Sequence, residues 1–230
     1  MMRSRGGRDG PARVAGIRTR WHTVGDGDFF CPECGGDRGY RRRTGRRRFV
    51  LLGLPLLPRG AAATVVECAA CRGHFGLEAL SEPTTGRLSA MLRDATHSVV
   101  LAVLAAGGGG SRVSREAAVA VLRDAGYSDC AEDQLITLLA ALEAERRPTA
   151  GEGAVVPSAA GVEVAQVLRP LAPHLAASGR EALLLRGAVV ALADGPYVAA
   201  EREVLETVGE VLSLRGGDIE RLLATARTPS

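Results

Sequence analysis

Four of the five cysteines form two pairs whose spacing is typical of metal ligands. Two residues separate Cys31 from Cys34, and two residues separate Cys68 from Cys71. This spacing lets one turn present both sulfurs of a pair to the same ion, and four thiolates in a tetrahedron are a common site of structural zinc. Glycines lie just after each pair and leave room for a tight turn. The sequence therefore predicts one structural Zn²⁺ ion bound by these four cysteines.

Other interpretations of the cysteines are two unrelated pairs or a redox dithiol, but matching pairs followed by matching glycines favour zinc. The gap between the pairs is longer than usual for such a site. A β-hairpin through residues 40–66 would fill that gap and bring the pairs together. His74 lies three residues after Cys71, and we interpret it as a bystander because four thiolates already close a site. Cys130 is interpreted as an ordinary small residue.

The elements that must position these residues change in type along the chain. Residues 1–28 contain many Gly and Arg and no hydrophobic period, so they are predicted to be disordered or an over-long start. Residues 29–78 indicate short strands and turns, and residues 84–230 show helical periodicity. The predicted fold class is a small β zinc ribbon followed by an all-α helical domain of two related helical hairpin units. After the helical periodicity that begins at 88, further helices are predicted over 114–125, 131–146, 158–177, 179–193, 199–213 and 217–227.

Composition and charge restrict the class of protein. The chain has no lysine, and only 3% of its residues are aromatic, which favours closely packed helices with an aliphatic core. Residues 1–80 carry 15 Arg and 7 acidic residues, whereas the remainder carries 14 Arg and 19 acidic residues. The longest apolar runs, 49–58 and 99–106, are too short to span a bilayer. With no secretory signal in the sequence, we expect a cytoplasmic protein without a membrane span, in which thiols stay reduced.

A basic run follows the first cysteine pair. Six arginines flank a Thr-Gly pair, and nothing aromatic is interleaved among them. The run could contact nucleic-acid phosphates, or it could be a solvated hairpin tip, which we favour. Binding to an acidic partner or to the acidic second domain explains it equally well. The arginines are Arg41, Arg42, Arg43, Arg46, Arg47 and Arg48.

A weak internal repeat relates residues 101–125 to 186–210 at an offset of 85 positions, which pairs Glu116 with Glu201. Each copy has an apolar helix, a Gly turn and a Glu in the first turn of a new helix. In the second copy Asp194 precedes Glu201, so the loop can fold the two carboxylates toward each other and hold a divalent cation. The alternative is structural, because Asp-Gly forms turns and Glu in a first helical turn complements the helix dipole.

Two family resemblances are carried by these motifs. Residues 29–76, with Cys-Pro-Glu-Cys-Gly, Tyr40, the basic run and Val-Val-Glu-Cys, resemble bacterial zinc-ribbon modules fused to other domains. Residues 183–214, with an Ala-Asp-Gly turn and Glu201, and the short last helix at 218–226 resemble the TerB family of tellurite-resistance proteins, and 88–147 does so more weakly.

The TerB resemblance implies duplicated helical hairpins whose acidic residues form a metal site. By position, Asp194, Glu201 and Glu116 would bind Ca²⁺ or Mg²⁺, but Gly109 stands where the family has an acid.

Two functions follow from the sequence, and a third class is not supported. The first is a non-catalytic TerB-like stress protein that acts through metal and contacts with another protein. The second is a zinc-ribbon nucleic-acid-binding protein with a helical scaffold. A hydrolase is not supported, because the sequence shows no Ser/His/Asp set and residues 107–110 lack the lysine and spacing of a P-loop. We expect no enzymatic activity.

Overall fold

The computed structural model describes residues 15–51, 54–146 and 159–227. Contacts within the chain divide it into two compact units, Met1–Arg87 and Leu88–Ser230. The first unit is built on an antiparallel sheet and the second is helical. The predicted order of a β region followed by an all-α region is therefore confirmed.

The sheet of the first unit has four strands in sequence order. They are β1 (Ala15–Cys31), β2 (Gly36–Leu51), β3 (Leu54–Cys68) and β4 (His74–Phe75), each antiparallel to the next. The cysteines stand at strand ends, because Cys31 closes β1 and Cys68 closes β3. Strands β2 and β3 form the hairpin that the gap between the cysteine pairs predicted. The hairpin thus returns the chain to the first pair.

The N-terminal region differs from its prediction. Residues 15–28, which were predicted to be disordered, lie in β1, and this strand pairs with β2 from Ala15–Leu51 to Cys31–Gly36. The strand is organised by backbone hydrogen bonds to β2. Most of its side chains are at least partly exposed, so it carries no hydrophobic period that sequence alone could reveal. The rest of the predicted segment, residues 1–14, lies outside the described residues.

The basic run is not a hairpin tip, contrary to the favoured prediction. Its arginines lie within β2, which pairs with β1 on one side and with β3 on the other. Because the sequence predicts no structure for residues 15–28, it gives no sign of the pairing with β1. Backbone groups of the run are therefore used in the sheet, so any contact of the run beyond the sheet must be made by its side chains.

The helices agree with prediction except in one region. The structure has a π-helical segment, Leu104–Gly108, directly after α1, and a short 3-10 helix, Ala172–His174, between α4 and α5. The predicted helix 158–177 is therefore interrupted, because Pro170 and Pro173 cannot supply the backbone N–H that a continuous helix needs. The helices of the described residues are α1 (Thr85–Val103), α2 (Arg112–Asp124), α3 (Glu132–Arg146), α4 (Ala159–Leu168), α5 (Ala177–Ala191), α6 (Ala199–Val211) and α7 (Gly216–Ala226).

Helix α5 lies at the centre of the helical unit and packs against α2, α6 and α7. The core is aliphatic and includes the fully buried Leu184 and Leu205. Gly187 allows close approach of neighbouring helices, since a Cβ there would lie 2.8 Å from Val99 Cγ1 and 2.9 Å from Leu205 Cδ2. Small residues thus replace aromatic bulk in this core.

One helical stretch, Thr85–Gly107, is long and apolar enough to cross a membrane by length and composition alone. Core helices of globular proteins pass the same test. Ala95, Val99 and Val100 of this stretch are completely buried in the helical core, which is where an apolar helix of a globular unit belongs.

We predict that residues 84–230 fold without the sheet, because the core of the helical unit is formed by its own helices. Thr84 is retained in this fragment, and its Oγ1 accepts a hydrogen bond from the Arg87 N–H at 3.3 Å at the start of α1. The fragment should show helical circular dichroism and a cooperative thermal melt. An insoluble or non-cooperative product would contradict the prediction.

Candidate metal centre

Two turns of the same shape carry the four cysteines. In the first, the Gly35 N–H donates to the Cys31 carbonyl at 2.9 Å, and in the second the Arg72 N–H donates to the Cys68 carbonyl at 3.1 Å. Gly35 and Arg72 both have a left-handed backbone, with φ of 64° and 58°. Each turn can therefore direct its two sulfurs to the same side, as the spacing predicted.

The sulfur atoms converge closely enough for one metal ion. All four lie within 4.8 Å of one another, and Cys31 Sγ is 3.8 Å from Cys71 Sγ. Sulfurs bound at about 2.3 Å in a tetrahedron are about 3.8 Å apart. Among the described residues, no other group of three or more Cys, His, Asp or Glu side chains has its ligand atoms this close. The donor set fits a closed four-thiolate site.

The glycine after the second pair leaves room beside a sulfur, as the sequence interpretation expects, although it is not the residue with the left-handed backbone. The left-handed residue is Arg72, not Gly73. A Cβ at Gly73 would lie 2.8 Å from Glu33 Oε2 and 3.2 Å from Cys71 Sγ. The Gly73 N–H also approaches Cys71 Sγ at 3.4 Å. Gly73 is therefore required for room beside the sulfur, while Arg72 takes the strained conformation.

Glu67 is a nearly buried carboxylate at the centre of a charge cluster directly beside the cysteines. Its side chain is 6% exposed, and its Oε2 lies 2.6 Å from Arg43 Nη1. Arg72 Nη1 lies 3.3 Å from Oε1, and His74 Nε2 lies 3.2 Å from Oε2. His74 thus lies beside Glu67 and is not part of the cysteine group. Sequence reasoning missed Glu67, although its position next to Cys68 was a signal.

The protonation of these groups follows from burial and hydrogen bonding. Desolvation raises the pKa values of Cys31, Cys34 and Cys71. Burial also acts to raise the pKa of Cys68, but the backbone N–H groups of Cys71 and Ala70 outweigh it and lower that pKa to about 7. For Glu67, burial is likewise outweighed, and the hydrogen bond from His74 together with the Arg43 charge lowers its pKa. Backbone donors at the second turn thus favour a thiolate there.

The predicted carboxylate site has a different geometry. Glu201 is 2% exposed, and its Oε2 accepts a hydrogen bond from the Val198 N–H at 3.0 Å. It therefore satisfies a free N–H at the start of α6. Burial raises the pKa of Glu201, and the nearby charge of exposed Asp194 raises it further. Gly107 leaves room for this carboxylate, since a Cβ there would lie 2.9 Å from Glu201 Oε1.

Glu116 does not occupy the place in the first repeat that Glu201 has in the second. The residues that precede α2 and α6 are Ser111 and Val198, which lie 87 positions apart, so the structural equivalent of Glu201 is Ser114. Ser114 is completely buried, whereas Glu116 is exposed and its Oε1 pairs with Arg112 Nε at 2.8 Å. Among the described residues, the three predicted carboxylates do not form a close ligand group. A cation site at Asp194 and Glu201 stays a prediction.

A cavity of about 310 Å³ in the helical unit is lined by His97, Tyr127 and Cys130, among others. The rings of His97 and Tyr127 pack with centroids 5.3 Å apart, and the Tyr127 hydroxyl hydrogen-bonds to Asp94 at 3.1 Å. Burial lowers the pKa of His97 and raises the pKa of the Cys130 thiol. Both groups are thus held in their neutral forms, which gives the cavity little nucleophilic character.

Comparison with known proteins gives one finding. The family model described as tellurite resistance protein TerB matches residues 93–224, which is more than half of the chain and lies within the helical unit. The family resemblance inferred from residues 183–226 is confirmed. No curated protein and no solved structure matched the chain.

We predict that replacing Cys68 with Ser removes the metal and destabilises the sheet, because four ligands hold three strand ends together. Elemental analysis of protein purified without chelator should give about one zinc per wild-type chain and almost none for the variant. Cys130→Ser is the matched control and should keep the metal. Full metal retention in Cys68→Ser would contradict the assignment.

We predict that Glu201→Ala lowers the free energy of unfolding of the helical unit by about 1–2 kcal/mol, because the Val198 N–H loses its side-chain acceptor. Glu116→Ala is the control and should cost at most about 0.5 kcal/mol, since its pair with Arg112 is exposed. Urea unfolding of the full chain, followed by helical circular dichroism, measures both. Equal losses would contradict the role of Glu201.

A separate double variant tests the cation site. If Asp194 and Glu201 bind Ca²⁺ or Mg²⁺, millimolar cation should raise the melting temperature of the wild-type helical unit. Asp194→Asn together with Glu201→Gln should abolish that rise. If the cations leave the melting temperature of the wild type unchanged, the cation site is ruled out, and Glu201 keeps only its structural role at the start of α6.

Proposed function

Since the chain belongs to the TerB family of tellurite resistance proteins, we propose that it acts in the tellurite stress response as a non-catalytic, metal-associated protein that works through contacts with another protein. The family match over residues 93–224 is the observation that carries this proposal. The helical unit would provide the family function. The sheet would add a metal-stabilised module, and we expect the whole to act in the cytoplasm.

The metal of the sheet is proposed to be zinc in a structural role. Four thiolates within 4.8 Å of one another leave no open position for substrate or water, and zinc in a closed tetrahedral site stabilises small folds. Two of the sulfurs, those of Cys31 and Cys68, belong to completely buried residues. Burial of these two cysteines supports a role of the metal in folding more than a role in metal exchange or in thiol redox chemistry.

A non-catalytic role is supported by the placement of the reactive side chains. The four clustered cysteines are committed to one group, and Cys130 is half-buried with a raised thiol pKa. The described histidines are distributed over both units, and His74 is engaged with Glu67. None of these contacts forms a nucleophile with an adjacent base among the described residues.

We predict that deletion of the gene from its own host increases sensitivity to tellurite and that the wild-type gene restores tolerance. Leu184→Asp should fail to restore tolerance, because it places a charge in the core of the helical unit, where Leu184 is completely buried. Growth over a tellurite concentration series measures this. Unchanged sensitivity of the deletion strain would contradict the proposal.

A second measurement separates binding from catalysis. Tellurite consumption is measured with a thiol reductant alone and with the reductant plus purified wild-type chain. The protein should increase the amount of tellurite consumed by at most one equivalent per chain. Many turnovers per chain would contradict the non-catalytic role while leaving the family assignment intact.

A further inference from the structure

The charges of the sheet are separated along its strands. We define the distal half of the sheet as residues 15–24, 43–51 and 54–65, which lie farthest from the cysteines. Every acidic residue of β1, β2 and β3 lies outside the distal half and nearer the cysteines. They are Asp26 and Asp28 in β1, Asp37 in β2 and Glu67 in β3. The distal half therefore carries only positive charge.

Four arginines of the distal half lie on one face of the sheet. The strand register places Arg18 opposite Arg48 and Arg20 opposite Arg46, and residues directly opposite in a sheet share a face, as do residues two positions apart. All four residues are exposed, and so is His22 two positions beyond Arg20. We call these four arginines the basic face.

The basic face lacks counter-charges. Arg43, which is part of the same sequence run, pairs with Glu67 at 2.6 Å. No ion pair involves the four arginines of the basic face among the residues that the structure describes. Like charges directly opposite in a sheet repel each other, and a bound polyanion would relieve that repulsion.

We propose that the basic face binds the phosphate backbone of double-stranded nucleic acid without sequence specificity. Guanidinium groups match phosphate geometry, since their fork of donors binds two oxygens at once. Two rows of arginines on adjacent strands present several such forks to a repeating line of phosphates.

The position of the Trp21 side chain favours binding of double-stranded over single-stranded nucleic acid. Single-strand binding relies on bases stacked on aromatic rings. Trp21 lies between Arg20 and His22 in sequence and therefore faces the other side of the sheet. There its Cε3 would be 3.0 Å from a Cβ at Gly45. Among the described residues, the basic face thus offers phosphate contacts and, apart from the imidazole of His22, no aromatic ring beside its arginines.

The proposal is independent of the tellurite function and has its own test. Fluorescence anisotropy of the full, metal-loaded chain is measured with a labelled DNA duplex of about two helical turns, between about 50 and 200 mM salt. The test variant replaces the four arginines with Gln. The control variant removes the same charge from exposed positions of the helical unit, by Arg169→Gln, Arg202→Gln, Arg215→Gln and Arg227→Gln.

The wild type and the control variant should bind the duplex with a steep salt dependence and bind a second, shuffled duplex equally well. The test variant should bind at least about ten-fold more weakly, and its slope of log K against log salt should fall by about 3–4, near one unit per lost phosphate contact. Circular dichroism and metal content should be unchanged in both variants.

Several results would overturn the proposal. They are absence of duplex binding by the wild type at about 50 mM salt, equal loss in the control variant, or an unchanged salt slope in the test variant. Tighter binding to a polyglutamate peptide or to vesicles of anionic phospholipid than to the duplex would also overturn it, since the basic face would then serve an acidic protein or a lipid surface.

Discussion

Four sulfur atoms within 4.8 Å of one another join the ends of three strands, and the sheet depends on this contact because it has little hydrophobic core. Its buried cluster consists of Phe29, Val66 and two of the cysteines. Beyond that cluster the strands continue for many residues, and apolar side chains such as Ile17 and Leu57 are exposed. A unit with so small a core gains its stability from cross-linking or metal binding. Metal binding by the four cysteines would therefore be coupled to folding of the sheet.

The helical unit uses a different physical means of stability. Its core contains many aliphatic side chains and almost no aromatic ones, so close approach between helices must supply the packing. Gly187 and Gly209 provide that approach, since a Cβ at Gly209 would lie 2.6 Å from Ile219 Cδ1. The buried Glu201 is accommodated in the same way, next to Gly107. Small residues thus determine both the packing of the helices and the room for the buried carboxylate.

Charge in the sheet is organised around the cysteine end. The nearly buried Glu67 pairs with Arg43 and also contacts His74 and the exposed Arg72. No acidic residue of β1, β2 or β3 lies farther from the cysteines than these groups, and the four arginines of the basic face form no ion pair among the described residues. The same three strands therefore combine a neutralised end, which packs around the cysteines, with a cationic end that remains available for an anionic partner.

The sequence by itself determined the features that depend on local spacing: the two cysteine turns, most helices and the TerB character of the helical unit. Only the tertiary structure decided features that depend on register between distant segments. Strand β1 has two largely exposed faces and no hydrophobic period, so its pairing with β2 could not be read locally, and neither could the placement of Arg20 opposite Arg46. The sequence repeat has an offset of 85 positions, whereas the starts of α2 and α6 lie 87 positions apart. For this reason Ser114, and not Glu116, occupies the position that corresponds to Glu201. A helix start is set by its cap and its packing, which sequence matching does not measure.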